Sequence, residues 1–247
     1  MWTRAELKTR AKGVMKLYYW KMFFVSFVLL LVGGREGSGG SGSSNSNTGK
    51  AVEPISPELA EFMIKIAVIV ASLFVVFLLL RIFIGFVLEV GGRKFFVRAA
   101  EGECNMFYLG HYFKEGRYPG IVGTMVLRGI YIFLWTLLLI IPGIIKSYAY
   151  RMVPYILADN PDIGASRAIE LSNRMTDGEK WDMFVLDLSF IGWYLLGLIA
   201  LGIGVLFVMP YEDATKAELY LVLREKAVNR GYTTLDELNL VQAIEYE

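Results

Sequence analysis

From Ile66 to Leu88 the chain is apolar except for Ser72 and Arg81. At about 1.5 Å per residue a helix over this stretch reaches roughly 35 Å, enough to cross a hydrocarbon core of about 30 Å with some tilt. Three more stretches have comparable character: Tyr18 to Gly34, Ile121 to Ile141 with Arg128 inside it, and Leu188 to Met209 with Gly202 and Gly204 inside it. In lipid every backbone N–H and C=O must be satisfied within the segment, which a helix does by itself. The fold class that follows is all-α, a polytopic helical membrane bundle.

Charge and cysteine content exclude several functions. Lys and Arg number 25 against 24 Asp and Glu, spread in clusters, so no broad basic face exists for nucleic acid. Cys104 and His111 are the only residues of their kinds, which rules out a disulfide framework and a soft-metal site; carboxylates remain for hard cations. No cofactor or metal is expected.

Three regions are expected. Residues 1–17 open with Thr3 and Glu6 in capping-box spacing and place Leu7, Ala11, Val14 and Met15 on one face, as in a basic amphipathic surface helix. Residues 18–225 form the transmembrane domain, interrupted over 33–56 by a Gly/Ser/Asn-rich loop that cannot bury apolar surface. Residues 226–247 form an acidic amphipathic tail. The basic start before an apolar run outlines a signal peptide, but no A-x-A site follows.

Four passages alone would leave Lys146, Arg151, Arg167, Arg174 and Lys180 outside, against the tendency of short cytoplasmic loops to carry such residues. Six passages remove the conflict. The chain then turns at Pro142–Gly143 and returns through Ile144 to Ala158, goes out through Trp181 to Ala200, turns at Leu201 to Gly204 and returns to about Leu223. Both arrangements put the termini in the cytoplasm, and the six-passage one is preferred. It requires Lys146, Arg151, Asp213 and Lys216 to face protein or water, since a charge at mid-membrane costs about 2.5–3.5 kcal/mol on insertion scales.

Those intramembrane charges supply the candidate ligand-binding residues. Arg128 and Asp187 are placed to form an ion pair between the two hairpins, and Arg81 to pair with Glu89 eight residues on. Lys146, Tyr150, Arg151 and Tyr155, with Tyr148, make a cationic and phenolic set suited to a lipid phosphate or small anion. The basic and aromatic stretch Gly91 to Gly120, including Arg93, reads as a cytoplasmic interface. Ser172, Ser189 and Asp187 have no histidine near them in sequence and no nucleophile elbow, so no catalytic residue is assigned.

Several phrases in order resemble a bacterial membrane family catalogued as domain of unknown function 975. They are R-x-E-L-K-x-x-A-K (Arg4 to Lys12), L-W-T-L-L-L-I-I-P-G-I-I-K-S-Y-A-Y (Leu134 to Tyr150), P-Y-I-L-A-D-N-P (Pro154 to Pro161), L-S-F-I-G-W (Leu188 to Trp193) and P-Y-E-D-A-T-K-A-E-L-Y (Pro210 to Tyr220). A weaker likeness is to the membrane domain beside some glycerophosphodiester phosphodiesterases. The first resemblance implies a membrane bundle and no defined activity. The expected role is a non-enzymatic bundle in the cell membrane that binds membrane lipids or a membrane-protein partner. The alternatives are a transporter of a small solute or lipid with a polar pathway between broken helices, and a lipid-acting enzyme.

Overall fold

A computed structural model describes residues 2–33, 57–113, 116–199 and 204–240. Apart from Gly33 the Gly/Ser-rich loop lies outside these residues, as do residues 200–203 and the last seven of the tail. No strand occurs among the described residues.

Helix α1 (Arg4–Leu31) starts at an N-cap, where the Thr3 hydroxyl accepts from the Glu6 N–H at 3.2 Å. It kinks at Tyr18 (φ −130°, ψ 25°), where the basic amphipathic half meets the apolar half. Leu7 and Ala11 are fully buried, and Val14 and Met15 pack against the core. Helix α2 (Pro57–Leu80) continues through a π-helical turn, Arg81–Gly85, into α3 (Phe86–Ala100). Two short 3₁₀ turns, Met106–Leu109 and His111–Phe113, lead to α4 (Tyr118–Leu138).

The chain then reverses at Leu139, whose backbone is extended, and α5 (Ile140–Ala149) runs back along α4. The turn is therefore three residues earlier than Pro142–Gly143. Pro142 sits in the first turn of α5, where its missing N–H has no intrahelical partner to lose. Gly143 faces Thr136 so closely that a Cβ there would lie 2.4 Å from the Thr136 Oγ1 and 2.7 Å from its Cα. The expected single return through Ile144 to Ala158 is broken by a turn at residues 150–152 into α5 and α6 (Val153–Asp159).

Helix α7 (Ala165–Met175) packs on α4 and α6. Helices α8 (Lys180–Ile199) and α9 (Gly204–Asn229) form the second hairpin, with Gly197 and Gly204 in backbone contact near its tip. Helix α9 occupies the middle, packing on α1, α3, α7 and α8. Beyond it, residues 230–240 turn back and dock through the fully buried Leu238.

Among the described residues four helices are long and apolar enough to cross a membrane: Arg4–Leu31, Glu61–Ala100, Tyr118–Leu138 and Lys180–Ile199. Residues 61–80 are exposed at every position, and Leu137 to Ile141 and Leu195, Leu196, Leu198 and Ile199 at the hairpin ends are exposed as well. Contiguous apolar surface on this scale needs lipid to cover it, so the chain is an integral, multi-pass membrane protein. The fourth and sixth of the six expected passages do not take the form of apolar spans. Helix α5 has ten residues, about 15 Å, and α9 is buried from Val208 to Tyr220 with four charges in that stretch. The tip of the α8–α9 hairpin also lines one groove with Lys16 and Tyr19, whereas six passages would separate that tip from residues 1–17 by a membrane.

Candidate ligand-binding site

The two hairpins and α1 enclose a cavity of about 780 Å³. Its polar lining comes from four helices and the turn after α5. Arg151, in that turn, pairs through Nη2 with Asp187 Oδ2 of α8 at 2.6 Å, and the Tyr148 hydroxyl of α5 donates to the same oxygen at 2.9 Å. Asp187 Oδ1 is buried and accepts no hydrogen bond among the described residues. From α4, Arg128 Nε donates to the Tyr150 carbonyl at 2.9 Å. On α9, Lys216 and Glu212 pair one turn apart at 2.6 Å, and the Tyr194 hydroxyl of α8 donates to Glu212.

Apart from Ser147 and Tyr194 the rest of the lining is apolar, and its order is the same on each of the four hairpin helices. Ile132 on α4, Ile144 on α5, Ile191 on α8 and Val205 with Met209 on α9 all lie nearer the hairpin tips than the charged residue of the same helix or of the turn that follows it. Only Tyr194, reaching back to Glu212, departs from this layering. The cavity is thus amphipathic, with three cations and two carboxylates in its polar layer. That surplus of positive charge in a setting of low dielectric favours an anion.

Of the six candidate residues, three come together here: Arg128, Arg151 and Asp187. The other three lie elsewhere. Lys146 sits over the rings of Trp135 and Tyr150 at 5.1 and 5.7 Å. Tyr150 contributes its carbonyl, and its ring faces Tyr131. Tyr155 is 2% exposed, stacks on Tyr220 at 5.2 Å and lies under the Arg93 guanidinium. The turn at 150–152 divides the set, leaving Lys146 on α5 and Tyr155 on α6 with Arg151 between them. The same turn gives Asp187 to Arg151, so the ion pair between the hairpins is made by Arg151 and not by Arg128.

Sequence reasoning assigned no ligand role to Glu212, Lys216 or Tyr194. The i, i+4 spacing of Glu212 and Lys216 within an apolar setting was the available signal. It also placed Arg93 at an interface, whereas Arg93 is 3% exposed and pairs with the buried Asp213 at 3.0 Å. Ser26 of α1 donates to the other Asp213 oxygen at 2.7 Å. On the same α3 surface Arg81 pairs with Glu89 at 2.7 Å.

Other chemistry is sparse. The Ser189 hydroxyl donates to the Leu186 carbonyl and receives Lys8 Nζ at 2.6 Å; it sits in mid-helix, where neighbouring N–H groups are committed to the backbone ladder. Among the described residues no group of three or more His, Cys, Asp or Glu is placed to hold a metal.

Comparison with known proteins gives one match: residues 124–227 fit the model of a family described as protein of unknown function (DUF975). Neither the curated proteins nor the solved structures give a match, and the likeness to the phosphodiesterase membrane domain is not among these findings. The matched stretch runs from α4 to α9 and contains every cavity-lining residue except Leu30. Over these two hairpins and the helices between them, residues 124–227, the chain is similar to the DUF975 family.

Proposed function

We propose that this protein is a non-catalytic binding protein of the cell membrane, with both termini cytoplasmic, that holds the anionic head group of a lipid or lipid-like amphiphile between its two hairpins. The observation that carries this reading is the layering of the cavity. Cations on α4, α9 and the turn after α5 would take the anionic group, while the isoleucines toward the tips would take the chain.

The test is native mass spectrometry of protein extracted gently from its own membranes. An anionic lipid retained at one per chain, and lost from Ile191→Trp, which fills the apolar layer without touching a charge, is the expected result. Equal retention by Ile191→Trp would refute the site. A solute flux across vesicles that vanishes in Arg151→Ala would replace binding by transport, and turnover of a lipid by purified protein would replace it by catalysis.

A further inference from the structure

A second groove, of about 700 Å³, lies between the amphipathic half of α1 and the tip of the α8–α9 hairpin. Its two walls differ in chemistry. The α1 wall carries Lys12 and Lys16, one helical turn apart and both exposed; neither has a carboxylate partner among the described residues. The hairpin wall is Leu196, Phe207 and Val208, with the Gly197–Gly204 contact leaving the hollow between them. Met15, Tyr19, Trp193 and Tyr211 complete the lining, and Lys12 Nζ lies 5.7 Å from the Tyr211 ring centroid.

Two lysines beside tyrosine and tryptophan are what a membrane–water boundary selects, because the ammonium groups stay at head-group depth while the rings straddle the boundary. Bare apolar helix ends alongside place hydrocarbon next to that charge. We infer that the groove holds an anionic diacyl phospholipid of the surrounding bilayer, its phosphate between Lys12 and Lys16 and one chain along Leu196 and Phe207. The site is separate from the cavity around Arg151: the two share no lining residue. Occupancy would tie the basic half of α1 to the hairpin tip through the lipid.

The experiment compares full-length protein in nanodiscs of phosphatidylglycerol mixed with phosphatidylcholine, counting lipids that survive release in native mass spectrometry. A lysine near an anionic lipid surface is worth about 1 kcal/mol, or about fivefold. Lys12→Gln with Lys16→Gln should therefore weaken retention of one phosphatidylglycerol by about 30-fold, and Lys12→Arg with Lys16→Arg should keep it. Leu196→Trp, which blocks the chain path and leaves both lysines in place, should release the same lipid and covers the case of a double variant that does not fold. Ile191→Trp should leave this lipid bound. Unchanged preference for phosphatidylglycerol in the glutamine variant, or equal loss by added soluble glycerophosphate, would overturn the assignment.

Discussion

The ion pair between the hairpins can be separated from its nearest competitor by double-mutant cycles. Arg151 is 8% and Asp187 25% exposed at the side chain. Removing one member of a buried pair costs about 3–5 kcal/mol, because the remaining charge is stranded. With a quarter of Asp187 accessible, the low end applies, so Arg151→Met and Asp187→Leu should each cost about 3 kcal/mol. Replacing both partners by apolar residues of similar volume is often close to neutral, so the double variant should be no less stable than either single one, giving a coupling of at least about 3 kcal/mol and about 6 kcal/mol if the double variant is neutral. Arg128→Met provides the control, since Arg128 donates to the Tyr150 carbonyl. Its coupling to Asp187 should stay under about 1 kcal/mol. Unfolding in mixed micelles with increasing fractions of denaturing detergent, followed by circular dichroism, measures all of these values. Additive losses for Arg151 and Asp187, or a larger coupling for Arg128 and Asp187, would refute the pairing.

Gly143→Ala should destabilise by about 1–3 kcal/mol in the same detergent-unfolding assay through its clash with the Thr136 backbone, whereas Gly192→Ala, exposed in mid-helix with nothing within 4 Å, should be neutral to stabilising by up to about 1 kcal/mol. Ser26→Ala removes a donor from the buried Asp213 and should cost about 1–3 kcal/mol by the same assay. Docking of the tail should depend on pH. The hydrogen bond from Arg167 holds Glu237 below its ordinary value of 4.5. The contribution is thus complete above the unfolded value and is lost as pH falls through the lowered one. Hydrogen exchange across residues 232–240 should rise over that acid range in the wild type, and Glu237→Gln should flatten the profile.

The apolar helices were readable from sequence because lipid imposes a composition on each residue of a span, whatever its neighbours do. Partner choice was not readable in the same way. Burial requires that Asp187 be paired, but Arg128 and Arg151 both lie within reach in sequence terms. The choice is made by three residues, 150–152, that leave the helix and swing Arg151 toward α8. Pro142 misled for a related reason: proline breaks a helix interior but suits a helix start, and only the position of the preceding turn distinguishes the two. Arg93 sits among glycines and aromatics that resemble a membrane interface, and its partner Asp213 is 120 residues away.

Helix α9 explains how so polar a segment can lie among apolar ones. Its four charges from Glu212 to Glu218 would cost about 10–14 kcal/mol to insert alone at mid-membrane on insertion scales. Consecutive helical residues point about 100° apart, so Glu212 and Asp213 turn to different neighbours. Glu212 meets Lys216 and Tyr194 at the cavity, and Asp213 meets Arg93 of α3 and Ser26 of α1. Since these partners come from three other helices and from α9 itself, Glu212 and Asp213 are satisfied in full only in the assembled bundle. The apolar half of α1 does more than anchor: Ser26 donates to Asp213, and Met22, Val25 and Leu29 of the same half are fully buried. The cavity, which α1 also lines through Leu30, meets α9 at Glu212, about 100° round from Asp213, so α1 supports both faces of that helix.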